Sequence, residues 1–239
     1  MRAAVSLLAA GGVSLTAACG GPPEIPPLPT PAPESPPAVA IPPGQPNGVE
    51  RLQPGEILDR AVVASRAATS VRVKGRCCSG ADLFDLDMVY VPTGATGERR
   101  LRDQTVEVTR IGPDGYIRAG DQFWRNIRLR AYRDKYLRFD AADARFAGVM
   151  ELTTLERLLA GMLPKGGAQL RRARERAING LSAVELVDRV SESSVWVATK
   201  GSPYVLRVAG RGGQLDFLNY DAKFVLEPPG SGPQVVRLQ

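Results

Sequence analysis

The sequence predicts an α+β domain built on one large antiparallel sheet. Three observations indicate this class: a helical apolar pattern begins near residue 54, two-residue alternation follows in many short segments, and a leucine-rich helical stretch interrupts the strands. The chain has 239 residues, 44% hydrophobic and 23% charged, which is the composition of a globular protein. We expect the folded domain to span residues 54–239.

The first element is an amphipathic helix. PGEILDRAVVASRAAT has a proline at the helix start and an acid in the first turn. Leu58, Ala61, Val62 and Ser65 recur at helical spacing, which places them on one face of the helix.

The segments after this helix alternate as half-buried antiparallel strands do. TSVRVKG places Val71 and Val73 on one side and two basic residues on the other. LFDLDMVYV places an aromatic and aliphatic face opposite Asp85 and Asp87. TVEVTRI, GYIRA with QFWR after it, and KYLRF continue the pattern, with turns such as GPDG between them.

A helical insertion follows. We expect Thr153 or Thr154 to cap the helix formed by LTTLERLLAGML. One face of this helix carries Leu152, Leu155, Leu158, Leu159 and Met162. DARFAGVM, just before it, is expected to form another short helix. The Asn179-Gly180 pair predicts a hairpin. Further strands are predicted in LRRARERAINGLSAVELVD, SVWVATK, PYVLRVAG, GQLDFLNYD and QVVRL.

Residues 1–18 predict a secretory signal peptide. A positive start precedes an apolar run that is too short to span a bilayer as a permanent helix. Thr16-Ala17-Ala18-Cys19 then resembles the lipobox of bacterial lipoproteins, although Thr16 stands where that pattern prefers leucine. This resemblance implies that Cys19 carries a diacylglycerol and anchors the chain at the extracytoplasmic face of the cell membrane. The alternative is an ordinary signal peptide with an incidental cysteine.

A proline-rich segment follows Cys19. Twelve of the 25 residues from Pro22 to Pro46 are proline, a composition that favours extended polyproline II over a helix or a ladder. We therefore expect residues 19–53 to form a lipidated, disordered linker that acts as a spacer. A ligand for a proline-recognition domain is the alternative.

The residue inventory argues against an enzyme. The chain has no histidine, which removes the commonest general base and most zinc and copper sites. The acids are mostly spread singly on strand faces, and no glycine-rich loop has phosphate-binding spacing. We expect no catalytic residue, no metal and no cofactor.

Cys77 and Cys78 are adjacent in GRCCSG. Neighbouring residues of a strand point to opposite faces, so one packed and one exposed thiol is the simplest interpretation. A strained disulfide and an intermolecular bridge remain open.

Basic residues cluster in two places. Between Arg99 and Arg138 there are 11 Lys or Arg against five acids, and RRARER adds four arginines within residues 171 to 176. A solvated face is one interpretation and contact with an anionic membrane surface is the other. The net charge of +6 is too small to argue for nucleic-acid binding.

The apolar faces of the strands must also be covered. A single sheet with few helices has to curl to hide them, and the helices then either fill the concave side as a core or leave an apolar pocket. The sequence alone slightly favours a filled core. The residues that would line a pocket are Phe84, Leu86, Met88, Tyr90, Trp124, Leu155, Leu158, Leu159, Met162, Val195, Val197, Tyr204, Leu206, Leu215 and Phe217.

The order of these segments resembles the LppX/LprG-type lipoproteins of actinobacteria, which share a fold with the lipoprotein carriers LolA and LolB. The resemblance rests on AATSVRVKG, GYIRAGDQFWR, KYLRFDAADARFAGVM, INGLSAVEL, VWVATKGSPYVLRV and LDFLNYD. It implies a strongly curved antiparallel sheet, an incomplete β-barrel with helices packed into its concave side. It also implies that the space between them takes acyl chains, with the leucine-rich helix as a lid.

Two functions follow from these patterns. The first is a monomeric, membrane-anchored carrier that binds acyl chains of envelope lipids or lipoproteins, for holding or transfer, together with an envelope transporter or another partner protein. The second is a non-enzymatic interaction module with a filled core that docks an envelope partner protein.

Overall fold

In the part of the chain that the structure describes, twelve strands form one mixed sheet that is not closed. A computed structural model describes residues 42–79, 82–133, 135–164, 169–229 and 235–238, and the predicted signal peptide, Cys19 and most of the proline-rich segment lie outside these ranges. The strands are β1 Val71–Ser79, β2 Asp82–Val91, β3 Gly94–Leu101, β4 Gln104–Ile111, β5 Asp114–Ala119, β6 Tyr136–Asp140, β7 Leu170–Ile178, β8 Leu181–Asp188, β9 Ser194–Ala198, β10 Val205–Gly210, β11 Gly213–Leu218 and β12 Val235–Arg237.

The sheet consists of two meanders joined at β1. Strands β1 to β6 follow one another on one side and β11 back to β7 on the other, and β1 pairs with β11 in a register that sets Val73 opposite Phe217. All neighbours are antiparallel except β12, which runs parallel to β6. The prediction of a purely antiparallel sheet is therefore wrong at this edge. The 16 residues between Leu218 and Val235 are too many for a tight hairpin, so turn geometry does not impose an antiparallel return.

Four α-helices accompany the sheet in the described part of the chain: α1 Pro54–Ala67, α2 Asp121–Asn126, α3 Ala147–Met150 and α4 Leu155–Met162. The predicted α1 is confirmed, and its first turn has a capping box between Gln53 and Glu56. The helix packs on β7, β9 and β10 and touches α4. The turn of 3-10 helix before α4, Glu151–Thr153, packs on β3 and β4. The helices thus bridge the two meanders.

The alternation predicted from the sequence is confirmed in β1, β2 and β6, whereas β4 and β5 have consecutive buried residues. Val71 and Val73 of β1 are fully buried, while Arg72 and Lys74 between and after them reach solvent. The Asn179-Gly180 hairpin is also confirmed, between β7 and β8. Both residues have positive φ, 51° and 82°, as a tight two-residue turn requires.

Four local features differ from the sequence-based expectations. QFWR belongs to the helix α2, where Trp124 packs inward and donates a hydrogen bond from Nε1 to the carbonyl of Ala119 at 2.9 Å. Thr154 occupies the N-cap of α4 without a side-chain hydrogen bond, and the Thr153 hydroxyl donates to the Met150 carbonyl instead. Strand β3 does not follow from the sequence, because GATGERRL does not alternate.

The fourth difference lies in the expected linker. Its last residues pack on the domain: Pro46 forms a β-bridge with Lys200, and Val49 is 1% exposed. The side-chain amide of Asn47 holds this segment by donating to the carbonyls of Ala198 and Gly201. These two hydrogen bonds join residues that are 151 and 154 positions apart in the sequence, so local sequence patterns do not reveal them.

Candidate functional site

Most of the predicted lining residues lie together in one apolar core between the sheet and the helices. The helix α1 contributes Ile57, Leu58 and Ala61 to this core. Ten of the predicted residues are buried in it and three, all from α4, are partly buried. The thirteen are Phe84, Leu86, Met88, Tyr90, Trp124, Leu155, Leu158, Leu159, Met162, Val195, Val197, Leu215 and Phe217.

Tyr204 and Leu206 lie elsewhere. They belong to a smaller cluster with Trp196, Ile178 and three alanines. The β9–β10 register shifts between Val205 and Arg207. Val205 and Val208, three residues apart, therefore both face the main core, and Leu206, two residues before Val208, faces the smaller cluster. A one-residue bulge reverses the face of every side chain after it, and the simple alternation of the sequence does not reveal it.

The helix α4 covers one part of the core. Leu159 is its one fully buried side chain, and Leu155, Leu158 and Met162 are half-buried. The turn before α4 is tied to the sheet: the Tyr90 hydroxyl donates to the Leu152 carbonyl at 2.7 Å. Burial raises the pKa of Tyr90, so this donor stays protonated. The helix is thus anchored at its start and held along its length by apolar contacts.

A cleft lies at each end of α4. The amino-end cleft, of about 250 Å³, is bounded by Arg66, Arg110 and Leu155 and reaches the core residues Val71 and Tyr90. The carboxyl-end cleft, of about 440 Å³, is bounded by Met162 and Val190 and reaches the core residue Val208. Both clefts therefore meet the same apolar core, with α4 between them.

A third cleft, of about 850 Å³, lies beside the smaller cluster. The rings of Tyr204 and Tyr220 stack in its wall with centroids 4.0 Å apart, and the Tyr204 hydroxyl donates a hydrogen bond to Asp221. No sequence pattern indicates this pair, because the two tyrosines come from different segments and follow no shared motif.

The sheet face opposite the main core, here called the outer face, carries paired charges. Asp87 accepts hydrogen bonds from Arg72 at 2.7 Å and lies 3.0 Å from the Lys74 ammonium. The hydrogen bond from Arg72 holds the pKa of Asp87 below its usual range, with a smaller contribution from Lys74, although partial burial opposes the shift. Asp216 pairs with Arg207 on a neighbouring strand.

The first basic stretch is partly neutralised by such pairs. Arg100, Arg118, Arg125 and Arg138 each pair with an acid. This stretch is therefore not a uniformly positive surface.

The arginines of β7 are more exposed. All residues from 171 to 177 are exposed, and β7 is an edge strand of the sheet. Arg172 nevertheless donates to the carbonyls of Glu50 and Leu52, and Arg176 lies over the Trp196 ring at 5.6 Å. Contact of this strand with lipid headgroups stays a prediction.

Of the two adjacent cysteines, Cys77 is buried in β1. Cys77 is 2% exposed and lies opposite Phe84 in the ladder, and the side chain of Cys78 is outside the described residues.

Among the residues that the structure describes, no group of three or more His, Cys, Asp or Glu side chains is placed to hold a metal ion. No helix within the described ranges has the length and apolar character needed to cross a membrane.

Comparison with known proteins gave structural matches alone. No family model and no curated protein matches the chain. An uncharacterized conserved protein from Thermus thermophilus superposes with a TM-score of 0.37 at 14% identity, covering 77% of this chain and 98% of that one. PNGF-II superposes with a TM-score of 0.29 at 8% identity, covering 72% of this chain and 31% of that one. These scores are too low to support an assignment of fold or function.

Proposed function

We propose that the chain is a lipoprotein, anchored through Cys19, whose domain binds an acyl chain of an envelope lipid or acylated ligand between α4 and the sheet. One observation carries this proposal: α4 separates two clefts that open onto the same apolar core. Displacing α4 would join the clefts into one apolar channel. The domain would hold its ligand there or pass it on across the envelope.

The proposal includes a LolA-like architecture, in which the sheet curves around the helices. The composition of the core supports it. Leu137 of β6 and Leu170 of β7 come from opposite flanks of the sheet and belong to the same cluster as residues of α1 and α4. A sheet with one apolar face gains most when that face wraps around the helices that cover it.

The energetics permit exchange of α4 for a ligand chain. Uncovering one buried and three half-buried side chains costs about 4–8 kcal/mol, at 1.5–3 kcal/mol for each fully buried residue. A 16-carbon chain that enters the channel contributes about 12 kcal/mol, at about 0.8 kcal/mol per methylene. The difference between these two free energies must exceed the entropic cost of immobilising the ligand. We therefore expect measurable affinity only for long acyl chains.

Substitution of Leu159 tests the site. In Leu159→Arg a charged side chain replaces the one fully buried anchor of α4, and we expect uptake of a fluorescent long-chain fatty acid to weaken at least about tenfold. Val63→Arg introduces the same charge at a 58%-exposed position of α1 and should leave uptake unchanged. Circular dichroism checks the fold, and the half-buried Met162→Arg is the milder variant if Leu159→Arg unfolds.

Organic extraction and mass spectrometry of the purified chain complete the test. Unchanged uptake in folded Leu159→Arg and Met162→Arg would exclude α4 from the site. Reproducible absence of lipid, together with no uptake by the wild type, would reject the carrier and favour the docking module. The exposed, arginine-rich edge strand β7 is the surface that a partner protein would then use.

A further inference from the structure

The two clefts at the ends of α4 differ in chemistry. The amino-end cleft is bounded by two arginines, Arg66 and Arg110, and by the polar residues Ser70 and Thr153. Met162, Val190 and Val208 provide apolar lining at the carboxyl-end cleft, where the charge of Arg211 is paired with Glu192 at 3.2 Å. A ligand that lies along α4 therefore meets a net positive charge at one end and mainly apolar side chains at the other.

Arg110 is positioned before any ligand arrives. Its Nε donates to the Thr153 hydroxyl and one terminal nitrogen donates to the Thr153 carbonyl, both at 3.1 Å. A guanidinium has five N–H donors, so three remain once these two bonds are made. The side chain is half-buried, and fixing it in advance lowers the entropic cost of binding an anion.

Arg66 supplies the second positive charge. It lies in the last turn of α1, is exposed, and forms no ion pair with any residue that the structure describes. One acid, the exposed Glu156, also borders this cleft and opposes the two arginines in part. The net charge of the three groups is +1.

We infer that the amino-end cleft binds the anionic headgroup of the amphiphile, a carboxylate or a phosphate, and so fixes the ligand with its tail toward the carboxyl-end cleft. This inference rests on the proposed function. An arginine fork forms two parallel hydrogen bonds with either group, and in a half-buried cleft these bonds are stronger than in water. The domain would then select anionic over neutral amphiphiles of equal chain length.

Competition between matched ligands tests the selection. The dissociation constants of hexadecan-1-ol and hexadecanoate are measured by displacement of a fluorescent fatty acid at alkaline pH. Because the two chains have equal length, the ratio of the first constant to the second reports the contribution of the headgroup to affinity. We expect the wild type to bind hexadecanoate about tenfold more tightly. Arg66→Gln and Arg110→Gln should each lower this ratio about threefold, and the double variant should bring it near one. Glu156→Gln should raise it.

The matched control is Arg60→Gln. Arg60 is exposed on α1, borders neither of the two clefts and forms no ion pair with a described residue, so its loss should leave the ratio unchanged. Arg66→Gln is the cleaner test variant, because it breaks no hydrogen bond or ion pair with a described residue. Inorganic phosphate and acetate distinguish a lipid headgroup from a free anion, and neither should displace the probe at concentrations at which hexadecanoate does.

Three outcomes would overturn the inference. A wild-type ratio near one, or an unchanged ratio in the double variant, rejects the headgroup site while acyl-chain binding and the proposed function stand. Displacement by phosphate or acetate alone shows a site for small anions instead. If neither long-chain ligand binds the wild type, the proposed function fails and the headgroup site fails with it.

Discussion

Asp87 shows how single residues order the outer face of the sheet. Its carboxylate joins Arg72 and Lys74, and its side chain is 24% exposed. An exposed ion pair typically contributes about 0–1 kcal/mol to the free energy of unfolding. We expect Asp87 to contribute in the upper half of that range, because its carboxylate has two basic partners and is partly buried. The consequence is a measurable dependence of stability on pH.

We predict that stability falls in acid partly through Asp87. Its folded-state pKa is lowered, so the unfolded chain binds more protons, and the stabilisation is present above about pH 4 and lost as pH falls through the lowered pKa. Asp87→Asn should lower the free energy of unfolding by about 0.5–1 kcal/mol at neutral pH, and it should weaken the fall of that free energy as the pH is lowered. Asp103→Asn, at an exposed turn, should show the same dependence of stability on acid pH as the wild type. Equal acid sensitivity in Asp87→Asn and wild type would contradict this role.

At the scale of elements, the closeness of β2 and β3 depends on a glycine. Gly97 has a φ of 156° and lies opposite Met88 in the ladder. A Cβ at this position would lie 2.1 Å from the Asp87 carbonyl oxygen and 2.8 Å from the Met88 sulfur. The first of these atoms is backbone and cannot move without displacing the strand.

We therefore predict that Gly97→Ala destabilises the domain by about 2–4 kcal/mol, from strain and displacement of β3. Urea denaturation followed by tryptophan fluorescence measures the change. Gly148→Ala in α3 is the control, because its Cβ would meet no atom within 4 Å, and it should shift stability by less than about 0.5 kcal/mol. A similar effect of the two substitutions would show that close packing at Gly97 does not limit stability.

At the scale of the whole molecule, the proposal links the domain to a membrane through a residue outside the described ranges. The sequence places Cys19 after a predicted signal peptide and before a proline-rich segment. Stable anchoring needs two hydrophobic signals, which two or more acyl chains on one cysteine provide.

We predict that Cys19→Ser abolishes incorporation of labelled fatty acid and moves the protein out of the membrane fraction. Cys78→Ser should remain membrane-bound and labelled, because that cysteine lies within the strand β1. Membrane retention of Cys19→Ser at the wild-type level would reject lipid anchoring through this residue and leave the interpretation of residues 1–18 as an ordinary signal peptide.

The sequence by itself determined the properties that repeat along a short stretch of chain. It predicted α1, the short helix before α4, α4 itself, the β7–β8 turn and the buried faces of β1 and β2. Thirteen of the fifteen apolar residues that it grouped together share one core. These features depend on backbone periods of 3.6 and 2.0 residues and on turn chemistry, which a single segment displays.

The tertiary structure alone decided how the segments meet. It joined β1 to β11, set β12 parallel to β6, folded QFWR into α2, and turned Leu206 away through a bulge. It also brought Arg66 and Arg110, 44 residues apart in sequence, to the rim of one cleft. Sheet order, bulges and clefts arise from pairing and packing between distant segments, and the free energy of those contacts leaves no periodic pattern in either segment alone.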